Sequence, residues 1–205
     1  MTKKTIAGVA VAILAAFVAG RFSGAAQDPG PEPSCTMCDA DFVSAGELEA
    51  YERIAEATGL TDQQVRSVDI GKANLQIALV RRGALEAPRP HSVAEHDLVT
   101  EVYYVLSGSG TNVSGPDLVD KRRRAPDNRA VQFLNGPGNN AAEIRNSVTH
   151  ELTPGDMMIV PAGTGHQFTR IDDHITYVMV RVDPDKVVPL MDAEASHAYL
   201  VENRP

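Results

Sequence analysis

From residue 68 onward the chain alternates apolar and polar residues with a period of two, and turn residues cut the pattern at short intervals up to residue 182. A chain so patterned buries one face of each strand and has to close sheets against each other. Strands are predicted over 74–80, 101–107, 111–114, 148–152, 157–160, 166–170 and 175–182. Arg81-Arg82-Gly83 ends the first strand, and Asp183-Pro184-Asp185 closes the last. Pro88 and Pro90 force an extended, unpaired approach to His91. The expected class is all-β, a sandwich or barrel. Residues 115–140, rich in Gly, Pro, Asp, Asn and Arg, are too long for a simple turn. They are expected to be a surface excursion near the barrel mouth, or a lid.

The chemistry gathers at two stretches. Glu101 opens the run Glu-Val-Tyr-Tyr-Val-Leu, and alternation sets Glu101, Tyr103 and Val105 on one face of that strand. Four residues separate His96 from Glu101. About sixty residues on, a turn at Gly155, a short apolar strand and the turn Pro161-Ala162-Gly163 lead to His166. Two imidazoles and one carboxylate on neighbouring strands suit one divalent ion of iron, manganese, zinc or nickel. Three protein ligands leave about three positions of an octahedral ion for a small-molecule ligand or dioxygen. Tyr103 shares the Glu101 face and is the candidate catalytic residue, giving a hydrogen bond or a proton to substrate. Arg170, if it points inward, is either the salt-bridge partner of Glu101 or a clamp for a carboxylate substrate. Gln76 and Phe168 are expected in the pocket wall.

These stretches resemble the paired motifs of the cupin superfamily. The first motif, Gly-x5-His-x-His-x3,4-Glu-x6-Gly, is matched in its second half by His96, Glu101 and Gly108. The second, Gly-x5-Pro-x-Gly-x2-His-x3-Asn, is matched by Gly155, Pro161, Gly163 and His166. The first His of the pair falls on Ala94 and the final Asn on Arg170. Ala94 cannot ligate, and His91, in the Pro-flanked loop, is the candidate to replace it. The resemblance covers about residues 70–182. It implies a double-stranded β-helix, or jelly-roll barrel, with short N-terminal helices, and a homodimer. It does not fix a reaction, because one fold hosts many chemistries.

The rest of the chain sets the context. Residues 1–26 place Lys3 and Lys4 before an apolar run of small residues, followed by Ser23, Ala25 and Ala26. This reads as a cleaved signal peptide or, second, an uncleaved anchor, so the protein is expected to be periplasmic or secreted. The only expected membrane contact is a tether through that segment. Residues 27–43 are a Pro-rich linker carrying Cys35 and Cys38, the only two cysteines, expected to form a short-loop disulfide. In a helical segment, 44–66, Ser44 and Glu47 look like a capping box. A helix is predicted over 45–58 with Leu48, Tyr51, Ile54 and Ala55 on one face and Gly59 as its stop, and Thr61 is expected to cap one further turn. The barrel is bounded at 67–185, and the tail, 186–205, carries a short helix. The net charge of −8 excludes a nucleic-acid footprint, and Lys121–Arg124 reads as a solvated charge run. Besides a degenerate barrel kept only as a structural dimer, two function classes stay open. One is an exported metal-dependent enzyme of dioxygenase, isomerase or lyase type, acting on a small organic molecule. The other is a non-catalytic module that binds or senses a small ligand.

Overall fold

The computed structural model describes residues 30–205. The expected export segment, 1–26, lies outside the described residues. Helix α1, Ala45–Thr58, starts where Ser44 accepts the Glu47 amide and stops at Gly59, whose φ of 71° ends it left-handed. Only half of the expected capping box forms. The Glu47 carboxylate turns instead to Arg66 and to the Ser196 hydroxyl.

The further helical turn at Thr61 is not there. Strand β1, Asp62–Asp69, occupies that stretch because it can pair with β2, Asn74–Leu85, and bury Val65 completely. Strand β2 also outruns its expected end at Arg81, because both arginines find ladder partners in Thr176 and Ile175. The remaining strands of the barrel are β3 (Val93–His96), β4 (Thr100–Gly108), β5 (Gly110–Gly115), β10 (Val148–Leu152), β11 (Met157–Val160) and β12 (Gly165–Asp183). The two strands expected at 166–170 and 175–182 are thus one 19-residue strand. The region 115–140 is not a bare excursion. It holds β6 (Asp117–Val119), β7 (Arg122–Arg123), helix α2 (Arg129–Phe133) and the start of β8 (Gly138–Ala141), with β9 (Glu143–Arg145) pairing back to β6.

Strand β12 organises the barrel. Its N-terminal part pairs with β5 and β3, and its C-terminal part with β2 and β4. Two antiparallel sheets result, one in the order β1-β2-β12-β4-β11 and the other β10-β5-β12-β3-β8-β7. Register shifts between Phe168 and Arg170 and between Ile171 and His174 let the strand bend from one sheet into the other. The main core lies between them. Ala78, Val80, Tyr103, Val105, Tyr177 and Met179 come from one sheet, and Phe168 and Leu152 from the other. This is an all-β barrel, as the alternation called for, and of the jelly-roll type that the motif resemblance implied.

Gly108, which ends β4, has φ of 69°, and a Cβ there would run into the His174 carbonyl. Only glycine turns the chain at that point without strain. On the outside of the β1–β2 edge, Tyr51, Val65 and Leu79 form a second cluster under α1 and α3, Ala193–Glu202, where Tyr51 stacks on Tyr199 at 5.4 Å. The opposite end of the same face stays open, with Tyr104, Leu106, Met157 and Ile159 exposed. Cys35 and Cys38 are joined as a disulfide.

Candidate metal centre

Three pieces of backbone bring His96, Glu101 and His166 together. His166, near the start of β12, stands opposite Ala94 of β3 and Ser114 of β5. His96 ends β3, two residues beyond Ala94 and on the same face. Its carbonyl accepts the Gly163 amide at 2.7 Å, which ties the first motif to the turn that introduces His166. Glu101 sits on β4 between Val160 of β11 and Arg181 of β12. All three side chains are buried, and one donor atom from each lies within 4.8 Å of the others. His96 Nε2 is 3.4 Å from Glu101 Oε1, and His166 Nε2 is 3.5 Å from Glu101 Oε2.

Those spacings test whether the group fits an ion. Donors about 2.1 Å from one metal stand roughly 3.0–3.4 Å apart at octahedral to tetrahedral angles, close to what is observed. The hydrogen bonds carry the test further. His166 Nδ1 gives its proton to the Thr164 carbonyl at 3.2 Å, so Nε2 presents a bare lone pair to a carboxylate oxygen. Two lone pairs facing each other in a buried site are repulsive unless a cation lies between them. His96 differs. Arg124 Nη1 can only donate, so His96 Nδ1 accepts from it at 3.2 Å, and the ring proton sits on Nε2 toward Glu101. Ligation through Nε2 requires His96 to move that proton to Nδ1 and Arg124 to release the ring. The residues present therefore fit a divalent ion, with that one adjustment.

Ionisation favours the same use. Burial pushes the His96 imidazole down to about 3 and lowers His166 as well, so both rings are neutral at neutral pH. Burial alone would raise Glu101. The charges of His96 and Arg181, with the Tyr103 hydroxyl, outweigh it and hold the carboxyl at about 2. With both imidazoles neutral at pH 7, Arg181 is the cation that keeps the carboxylate ionised there. Its Nε is 3.2 Å from Oε1, and its far side is paired with Asp62 at 2.5 Å. Asn135 Nδ2 donates to Oε1 at 2.5 Å, and Tyr103 donates to Oε2 at 3.0 Å.

Several expected roles are redistributed. His91 does not join the group. It sits in a turn with φ of 54°, and its ring bonds Asp120 at 2.7 Å. It precedes β3, which begins at Val93, and so lies off the strand that carries His96. Arg170 is neither clamp nor partner of Glu101. The bulge after Phe168 turns it outward, where it pairs with Asp172 at 2.7 Å. Tyr103 lies at the site, but its proton is given to Glu101, and burial followed by that negative charge raises its pKa well above the ordinary value. It holds the carboxylate in place. Phe168 is in the wall, as expected, packed against the main core. Gln76 is buried on the inner face beside Arg181, and neither of its amide atoms has a partner. The run 121–124 is not all solvated, because Arg124 reaches His96 and also bonds Asn140 at 2.8 Å.

Arg181, Asn135 and Arg124 were not anticipated from sequence. Arg181 left a signal, because it shares the inward parity of Tyr177 and Met179, where a charge needs a partner. Asn135 and Arg124 left none, since they come from the region between β5 and β8 and have no periodicity to place them.

No family model matches the chain, and no curated protein matches it. Among solved structures it is similar to a Bacillus halodurans protein at 16% identity and a TM-score of 0.39, over 84% of this chain and 98% of that one. It is similar to a cupin protein from Bacteroides fragilis at 15% identity and a TM-score of 0.32, over 57% and 72%. A Cupin 2 conserved barrel domain protein from Salinispora arenicola gives 12% identity and a TM-score of 0.34, over 67% and 82%. Likenesses this distant carry no argument about family or activity. What the chain's own residues establish is an antiparallel β-barrel of two sheets, with a buried cluster of two histidines and one glutamate able to hold a metal ion.

Proposed function

We propose that the chain is a metal-dependent enzyme that acts on a small organic molecule, with His96, Glu101 and His166 as the protein ligands of one divalent transition-metal ion. The observation that carries this reading is the bare His166 Nε2 facing an ionised, buried carboxylate at 3.5 Å. The ion supplies Lewis acidity, and with a redox-active metal electron transfer, at a site that keeps room for substrate. The chain's own residues do the rest. Asn135, Arg181 and Tyr103 fix both oxygens of Glu101. The sheets on either side exclude bulk water. Dioxygenase, isomerase and lyase chemistry all suit such a site. Export to an oxidising compartment belongs to the same reading and is supported by the Cys35–Cys38 disulfide.

The test is made on full-length protein purified from a metal-replete culture without chelator. It is expected to hold about one metal per chain and to consume a component of a metabolite mixture. Glu101→Gln is expected to stay folded and to lose both metal and turnover. The Arg124–His96 bond favours a second reading, a ligand-binding module without catalysis, because it holds one ligand in the wrong tautomer. Metal-replete protein that retains a ligand tightly and turns nothing over would select that reading.

A further inference from the structure

Next to the metal-ligand cluster lies a small cavity of about 120 Å³. Its wall includes His166, the Tyr103 ring, Ala94, Phe168, Arg82 and Arg89. Ala94 is the smallest side chain in that wall. That residue stands opposite His166, at the position where the motif carries its first His, and any longer side chain there would fill the space.

The wall carries two arginines and no carboxylate, on a chain whose net charge is −8. Arg82 shares the inward parity of Gln76, Ala78 and Val80 on β2, so its guanidinium enters the barrel. The Phe168 ring lies 5.4 Å beneath it, and its Nε is spent on the Tyr177 hydroxyl at 3.2 Å. Its two Nη groups have no hydrogen-bond partner, and it forms no ion pair among the described residues. The side chain of Arg89 likewise has neither. An arginine held flat on an aromatic ring, with its donor fork free and facing a cavity, is built to receive a planar oxyanion.

We propose that this cavity binds the carboxylate of the substrate, a small aliphatic acid, with Arg82 as the fork and Arg89 adding charge to the wall. This rests on the metal-centre reading for its chemistry, though not for the binding itself. The small volume suits a short-chain acid. A carboxylate seated on Arg82 directs the rest of such a molecule toward His166 and Tyr103.

The probe is propionate, titrated by NMR into full-length protein, with propanamide as its neutral isostere and inorganic phosphate as the competing oxyanion. Metal content is measured on the same samples. Propionate is expected to bind at least tenfold more tightly than propanamide and more tightly than phosphate. Arg82→Gln is expected to weaken propionate at least tenfold with metal content unchanged. Arg82→Lys keeps the charge without the fork, guards against a folding defect, and is expected to fall between. Equal binding of propanamide, preference for phosphate, or wild-type propionate affinity in both variants would overturn the proposal. Propionate bound through Arg82 by protein that takes up no metal would support the receptor and defeat the metal-centre reading. Metal-loaded protein indifferent to propionate would do the reverse.

Discussion

Removing Arg124 should strengthen metal binding, although Arg124 touches the site and is also bonded to Asn140. Its Nη1 donates to His96 Nδ1 at 3.2 Å, and this bond is compatible only with the tautomer whose proton lies on Nε2. An ion taken on Nε2 therefore has to break it. Hydrogen bonds to charged groups contribute about 1.5–3 kcal/mol, and a long one in a half-buried position belongs at the lower end. At 1.4 kcal/mol per tenfold, about 1.5 kcal/mol is about a tenfold penalty on affinity. The guanidinium charge opposes a dication as well, so both effects have the same sign. Arg124→Met should raise Zn²⁺ affinity about tenfold or more in chelator competition at pH 7.5. The loss of its bond to Asn140 should cost about 1 kcal/mol of stability. Nitrogen shifts of the imidazoles supply an independent reading. In metal-free wild type, His96 should carry its proton on Nε2 and His166 on Nδ1. Unchanged or weaker affinity in the variant, or the same tautomer at both rings, would refute the reasoning.

Ala94→His should place a third imidazole opposite His166 and on the face of His96, raising metal affinity while filling the cavity; calorimetry with Zn²⁺ checks the first part and the propionate titration the second. Breaking the Glu101–Arg181 pair by Glu101→Gln should cost about 3 kcal/mol in urea unfolding, the low end for a buried pair because Asp62 still holds Arg181. Metal-free protein should lose stability in acid. His96 has a folded value of about 3 against an ordinary 6.5, and Glu101 about 2 against 4.5. Below pH 6.5 the unfolded chain takes up histidine protons that the folded chain refuses, so stability falls from there toward pH 3. Glu101 adds a further loss between 4.5 and 2. Each proton so taken up is worth about 1.4 kcal/mol per pH unit, and urea midpoints that stay flat between pH 7 and 5 in the presence of chelator would contradict this.

The parts of this molecule that could be read in advance are those governed by a period. Alternation from residue 68 placed Glu101 and Tyr103 on one face, and the spacing of the Pro161-Gly163 turn put His166 on a neighbouring strand. Helix α1 was legible from Ser44, its apolar face and Gly59. What escaped was set by tertiary pairing. The stretch after Thr61 has polar residues that read as a helix start, yet β2 offers it an edge to pair with. A regular strand would put Arg170 on the His166 face, and a bulge one step earlier turned it outward. Arg181, the residue Arg170 was mistaken for, was legible by parity alone. Arg124 and Asn135 could not be placed, because the path that brings them to the site is fixed by ladders to β8 and by the turn after α2 rather than by any local pattern.

Anomalous diffraction, collected at the metal edge from crystals of metal-replete protein, decides whether His96, Glu101 and His166 hold an ion. One strong peak is expected within bonding distance of His96 Nε2, His166 Nε2 and a Glu101 oxygen, with Arg124 turned from the His96 ring. A map with no peak there, while His96 keeps its bond to Arg124 and Glu101 its bonds to Asn135 and Arg181, would contradict it.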